Sequence, residues 1–340
     1  MNNNYTYPFL TLIALLIICF FVNISLGSVS IPIKAISGSL IGNIENESWQ
    51  YIVQDYRLPK AFTAILVGSG LGISGLLMQT LFRNPLAGPF VLGISSGASL
   101  GVALVILGSG LFGGVLASVL MSKWSIVIAA SLGSFLVLLA VILVSLRVRD
   151  TMAILIIGLM FGSITSAVVS VLSYFSSAEQ LQQYIFWGFG SLGNLSWSEL
   201  FIFFLIYLAG ILMTIVSIKG LNTLLLGENY AKSLGLNLKQ SRLIIIIATS
   251  LLAGTITAFA GPIAFIGLAI PHITRQIFPT SNHKTLLPAV FLFGAIVMLI
   301  CDSIAQLPTS DYTLPINAIT SLVGAPVVIW LLVRKRKMFF

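Results

Sequence analysis

Charge is scarce in this chain. Asp, Glu, Lys and Arg make up 8% of its 340 residues, against about a quarter in a soluble domain. With 58% of residues hydrophobic, too little polar surface remains to cover a water-soluble core, which excludes an independent soluble domain. Cysteine is nearly absent: Cys19 and Cys301 each sit inside an apolar stretch. Two such residues cannot make a disulfide framework and read as small buried hydrophobes. The only histidines are His272 and His283, and no cluster of Asp, Glu, His or Cys has metal-ligand spacing, so neither a metal site nor a cofactor is expected. No G-x-x-x-x-G-K-[S/T] occurs, so the chain does not hydrolyse ATP with a P-loop.

What fills the chain instead is a series of apolar runs near 8–28, 61–82, 89–108, 125–146, 151–175, 199–218, 243–260, 263–278, 285–303 and 314–333. About 20 apolar residues cross the hydrocarbon core. The expectation is therefore an all-α integral membrane protein of about ten spans, one transmembrane domain over 1–340. Residues 8–28 read as a retained first helix, because the N-terminus lacks a basic n-region and no small-residue cleavage site follows. Gly261-Pro262 separates two spans, since proline breaks the helical ladder, and 109–124 reads either as a span extension or as a re-entrant piece.

The formal net charge of +8 is spread singly or in pairs between the runs, apart from Arg334-Lys335-Arg336-Lys337. A nucleic-acid binder clusters its cations on one face, so no nucleic acid is expected as a partner. Placing both termini inside puts 13 of the 17 Lys and Arg residues on the cytoplasmic side, as the positive-inside bias requires. Seven of the nine acids (Glu45, Glu47, Asp55, Glu179, Glu199, Asp302 and Asp311) then fall outside or at outer span ends, with Asp150 and Glu228 inside. None is mid-membrane, where an ion-coupled transporter usually carries its ionisable groups. The outer loops 29–60 and 176–198 have room for short interfacial helices, as over 177–184, with Trp187 and Trp197 as interface anchors.

Two motifs mislead. Gly70-Leu71-Gly72-Ile73-Ser74-Gly75 matches a dinucleotide fingerprint but lies mid-span, without the strand that motif needs. Gly68, Gly72 and Gly75 read instead as a close helix-packing face. Gly93-Ile94-Ser95-Ser96-Gly97 fits a nucleophile elbow, and Ser74 sits in a protease-like glycine setting. A serine hydrolase needs a histidine within reach of the serine, and both histidines are placed at cytoplasmic ends of spans. An ion-coupled secondary transporter and an intramembrane serine hydrolase are the alternatives to a transporter driven by another protein. The cytoplasmic loop 219–242 reads as two short amphipathic helices punctuated by Gly227 and Gly235. Leu224, Leu225, Ala231 and Leu234 would offer an apolar face to a protein partner or to lipid.

Taken in order, Arg57-Leu58-Pro59, Gln79, Arg83-Asn84-Pro85-Leu86-Ala87, Leu92-Gly93, the 221–242 loop, Ala260-Gly261-Pro262 through Leu268, Pro271-His272, Leu314-Pro315 and Gly324-Ala325-Pro326 resemble the ten-span permease subunit of binding-protein-dependent ABC importers for ferric siderophores, haem and cobalamin. The resemblance implies the type II importer fold in a bacterial cell membrane. It implies a homodimer with a shared translocation axis, two ATP-binding cassette subunits on the cytoplasmic side and a substrate-binding protein on the other. It carries over Leu226, Gly227, Ala231 and Gly235 as residues coupling to the ATPase, and Leu86, Thr151 and Met152 as gate residues. Arg57 and Lys60 correspond to cations that dock the binding protein. Lys60 stands where arginine is usual, and Gln306 stands where the family has a third arginine. Thr313 and Asn317 replace the usual Glu and Gly. Translocation of an iron chelate, with no catalysis in this subunit, is the implied function.

Overall fold

The computed structural model describes residues 5–333 apart from 28, 30, 33–35, 37, 39–46, 112–121, 148–150 and 308–311. The question of whether 109–124 joins a span therefore lies largely outside the described residues, as does the basic tail 334–337. Among the described residues every regular element is helical. They are α1 (Thr6–Ser25), α2 (Glu47–Tyr51), α3 (Leu58–Phe82), α4 (Ile94–Ile106), α5 (Lys123–Arg147), α6 (Thr151–Phe175), α7 (Ala178–Gly188), α8 (Trp197–Leu224), α9 (Glu228–Ser233), α10 (Leu238–Ala260), α11 (Ile266–Ile277), α12 (His283–Ala305) and α13 (Ile316–Val333). A π-helical turn over Ile52–Arg57 runs from α2 directly into α3.

Seven helical stretches are long and apolar enough to cross a membrane: Thr6–Ser25, Glu47–Phe82, Lys123–Val144, Ile156–Phe175, Trp197–Leu224, Leu238–Ala260 and His283–Ala305. Ile94–Ile106 and Ile316–Trp330 are apolar but shorter. The spans expected at 89–108 and 263–278 take a different form from a single long helix. Each has an irregular lead-in and then a short helix, a 3-10 turn over Pro89–Leu92 before α4 and a non-helical segment over 261–265, ending in a left-handed Phe265, before α11. A positive-φ glycine stands at each break, Gly93 with φ 75° and Gly261 with φ 77°, and at the second it is followed by Pro262. Such backbone persists at membrane depth only where protein or water satisfies it. In the second break the amide of Ala264 donates to the Asn317 side chain at 3.0 Å.

The chain forms two compact units. The first comprises 1–73, 191–205 and 263–339. Its α1 lies along α12, and α11, α12 and α13 pack on one another. Two glycines of the face expected on α3 pack closely: a Cβ on Gly68 would overlap the Gly294 carbonyl of α12, and one on Gly72 would lie 3.1 Å from Val290 and from Ile270. Small residues let backbones approach where lipid supplies no hydrophobic drive between helices. The dinucleotide reading fails on the same observation, because 70–75 is interior helix.

The second unit comprises 74–190 and 206–262. Its centre is the α4–α5 pair, where Gly97, Gly101 and Gly133 bring the helices into contact at backbone distance. Ala98, Val102, Ala103, Ile106, Val127, Ala130 and Ala258 fill the adjoining core. The interfacial helix expected near 177–184 is α7, closed by a capping box in which Ser177 and Gln180 bond reciprocally. It is tied to α4 by Ser99 to Tyr184 at 2.5 Å, and Gln180 donates to Ser109 at 2.9 Å. One expected boundary moves: the stretch from Leu221, read as the start of a separate short helix before Gly227, is up to Leu224 the last part of the 28-residue α8. Gly220 does not break it, because that glycine is where Ser241 of α10 packs against the helix. At 1.5 Å per residue α8 is about 42 Å long, some two turns more than the hydrocarbon core requires.

Candidate functional site

Two groups of residues carry the candidate function, one in each unit. In the first, Arg57 ends the π-helical turn and its guanidinium faces the C-terminus of α1. Nη1 donates to the carbonyls of Ile24 at 2.8 Å and Ser25 at 3.1 Å, and Nη2 donates to Val29 at 2.5 Å. Those of Ile24 and Ser25 are carbonyls that the end of α1 leaves without intrahelical partners, and a cation there also complements the negative end of the helix dipole. Gly27 leaves the space, since a Cβ there would lie 2.7 Å from Nη2. Arg57 is only 5% exposed.

One turn along α3, Lys60 forms an ion pair with Asp302 of α12, Nζ to Oδ1 at 3.1 Å. The second carboxylate oxygen accepts from Asn23 of α1 and from Gln306, each at 2.8 Å. Asn23 also bonds the Leu299 carbonyl and Ser303. Asp302 is 2% exposed and Lys60 9%. Three elements thus meet on one buried carboxylate, each through a hydrogen-bonding group, which is what makes a buried charge tolerable. A cleft of 380 Å³ opens beside the network, lined by Asn23, Arg57, Lys60, Gln306, Tyr51, Tyr56, Thr313 and neighbouring apolar residues. Arg57 and Lys60, expected to act together, do share this cleft. In the structure described here both are engaged within the chain. Asp302 and Asn23 were not singled out by sequence, and the single hint was an acid close to the end of an apolar run.

In the second unit, α3 stops at Phe82 and the chain turns through Arg83-Asn84-Pro85. Arg83 has a left-handed backbone with φ 47°. Asn84 builds the corner: its carbonyl accepts from Ala87 at 3.1 Å and its side chain from the Leu86 amide at 2.9 Å, an Asx turn. Leu86 is left 43% exposed on the corner. Thr151 and Met152 open α6, and their side chains lie outside the described residues.

The six-residue α9 carries the coupling residues. Gly227 precedes it with φ 101° and ψ 150°, a region almost reserved for glycine. Its carbonyl accepts from Ala231 at 2.9 Å. At the other end the Gly235 amide bonds the Lys232 carbonyl and the Leu236 amide bonds the Ala231 carbonyl, both at 3.0 Å. With Gly235 at φ 83°, this is a Schellman close. Ala231 is fully buried, and Glu228 pairs with Arg242 of α10 at 2.5 Å. Leu224 and Ala231 point inward, so the apolar face differs from the one expected: Leu226, Tyr230 and Leu234 are each more than half exposed. Arg83 reaches this turn, its Nη1 lying 3.5 Å from where a Gly227 Cβ would stand. The corner bearing Leu86 and the turn bearing Gly227 are therefore neighbours.

The hydrolase alternative gains nothing here. Ser74 is a buried helical residue and Ser95 lies in the first turn of α4. Among the described residues no group of three His, Cys, Asp or Glu is placed to hold a metal ion.

An all-helical chain with several membrane-crossing lengths of apolar helix and glycine-faced packing is a multi-pass membrane protein. The comparisons with known proteins sharpen that class. Residues 15–334 match the FecCD transport family. The chain is 39% identical over 289 residues to the vitamin B12 import system permease protein BtuC of Klebsiella pneumoniae, covering 84% of each chain. It is 34% identical over 316 residues to the hemin transport system permease protein HmuU of Yersinia pestis, covering 92% of this chain and 93% of that one. A solved chain assigned to the metal-chelate type of ABC transporter, in an inward-facing conformation, superposes with TM-score 0.82 at 32% identity over 98% of this chain and all of the other. The chain belongs to the FecCD transport family, and it is an ABC importer permease of the bacterial cell membrane.

Proposed function

We propose that the chain is the membrane-spanning subunit of an importer for an iron chelate, a ferric siderophore in the first instance, with haem and cobalamin as the other cargoes of the class. It works as a homodimer around a shared axis, both termini in the cytoplasm. Two ATP-binding cassette subunits sit on the cytoplasmic side and an extracytoplasmic binding protein on the other. The observation that carries the reading is the shape of α9: a helix too short to be stable alone, fixed by Gly227, Gly235 and Ala231, and presenting Leu226, Tyr230 and Leu234 outward. A chain without a P-loop needs such a surface to receive motion from an ATPase.

ATP binding closes the ATPase pair, and α9 moves with the subunit on which it is seated. The axis then opens outward to take cargo released by the binding protein docked over Arg57 and Lys60. Hydrolysis returns it, with Leu86, Thr151 and Met152 closing the cytoplasmic end. No side chain performs chemistry on the cargo. The test is uptake of labelled ferric siderophores, haem and cobalamin in cells lacking this chain and in the complemented strain. Loss of one uptake on deletion, restored by the gene, names the cargo; three unchanged uptakes refute this range of substrates. Reaction of Ser74 or Ser95 with a fluorophosphonate probe would favour the hydrolase instead.

A further inference from the structure

Resting on the reading that a binding protein docks at the face bearing Arg57 and Lys60, we propose that Asp302 is an internal competitor for Lys60. A carboxylate of the docking partner enters the 380 Å³ cleft, takes the lysine from Asp302, and gives it back on release. Asp302 thereby sets how tightly the partner is held.

Four features of the geometry support an exchange over a permanent pair. Lys60 lines the cleft and Asp302 does not, so an arriving acid meets the ammonium without first meeting the resident carboxylate. The lining contains two cations, Arg57 and Lys60, and no acid. Asp302 cannot follow the lysine, because its other oxygen is held by Asn23 and Gln306 at 2.8 Å each. Those same amides keep the carboxylate hydrogen-bonded after the lysine has left. Breaking a buried pair usually costs most through the charge left without partners, and here two donors remain.

The nature of the two cations fits a division of labour. Arg57 is clamped on three carbonyls, which fix its plane and its place at the cleft. Lys60 is a point charge on a flexible stem, with three rotatable donors. A lysine changes partners by bond rotation, where a forked guanidinium would have to give up two bonds at once.

The experiment uses the full-length permease in nanodiscs, with wild type, Asp302→Asn and Asp302→Glu, each checked for a monodisperse folded state. A membrane-impermeant amine-acylating reagent reports Lys60 directly, read by mass spectrometry of its peptide. Acylation is expected to be slow in wild type and Asp302→Glu and about tenfold faster in Asp302→Asn, in line with the coupling of close charge pairs. Docking is measured with the purified binding protein that supports uptake through this permease. Asp302→Asn is expected to tighten it about tenfold, mostly through slower release, and Asp302→Glu, which keeps the competing charge, to tighten it less than Asp302→Asn. Adding Lys60→Ala to Asp302→Asn must abolish the gain. Unchanged Lys60 acylation in Asp302→Asn overturns the proposal, as does a docking gain that persists without Lys60. If neither Arg57→Ala nor Lys60→Ala alters docking while acylation responds as expected, the docking face has been misplaced and the competition at that face falls with it.

Discussion

Replacing Gly227 with valine isolates the proposed coupling role from the rest of the fold. A Cβ at this position would lie 3.5 Å from Arg83 Nη1 and meet nothing closer, so the Cβ itself causes no overlap. The cost is in the backbone: φ 101° with ψ 150° is open to glycine and costs other residues about 1–3 kcal/mol. That strain falls on α9, six residues whose placement depends on Ala231 and on the Glu228–Arg242 pair rather than on helix propensity. A penalty of about 1–2 kcal/mol lowers the population of the native α9 arrangement by a factor of about 5–30. The transmembrane core, packed through Gly97, Gly101 and Gly133, is untouched, so the loss of thermal stability of the purified permease should not exceed the strain of about 1–3 kcal/mol at this turn. The assay is the ratio of ATP hydrolysed to cargo imported in proteoliposomes carrying the permease, its ATPase and its binding protein. Gly227→Val should lose transport while ATP hydrolysis continues or fails to respond to the binding protein. Wild-type transport at a wild-type ratio would refute both the strain argument and the assignment of this turn.

Gly68→Ala and Gly294→Ala each push α3 from α12, since a Cβ on either overlaps the carbonyl of the other. Each should destabilise by about 1–3 kcal/mol in thermal unfolding in detergent. The double variant should cost less than the sum, because the first substitution has already separated the helices. Gly188→Ala, with nothing within 4 Å of the new atom, serves as the neutral control. Ser177→Ala removes the capping box of α7 and should cost about 1 kcal/mol, seen as faster amide exchange over 178–182 with other helices unchanged. Asn317→Ala leaves the Ala264 amide without its 3.0 Å acceptor and should destabilise by about 1–3 kcal/mol; an unchanged melting temperature would show that another group satisfies that amide.

Most helices were legible in the sequence because lipid imposes a length rule. The long apolar runs that became α1, α3, α5, α6, α8, α10 and α12 needed only hydropathy and their Gly, Pro and polar boundaries. The break at Gly261-Pro262 was legible for the same reason: proline cannot continue a helical ladder. Hydropathy could not tell that Pro89–Leu92 and 261–265 would be irregular backbone, since both are as apolar as the helices they precede. Nor could it place the end of α8, because Gly220 marks close packing against Ser241 as readily as it marks a stop. The α9 face was half legible. Its residues were in view, but inward Ala231 and outward Tyr230 follow from how six residues sit against α10, not from their order. The Lys60 network was the least accessible part. Asn23 and Asp302 are 279 positions apart, and nothing local in either run announces the other. A resemblance based on aligned motifs supplied a role for Lys60 but not its partner, because the partner belongs to another helix.

The most direct measurement is cargo uptake into proteoliposomes containing this permease, its ATPase and its binding protein, with ATP and the proton gradient controlled separately. An importer driven by partner ATPases takes up cargo with ATP inside and no gradient, and stops when ATP is withheld or the ATPase is inactive. Uptake that continued without ATP and collapsed with the gradient would contradict the assignment.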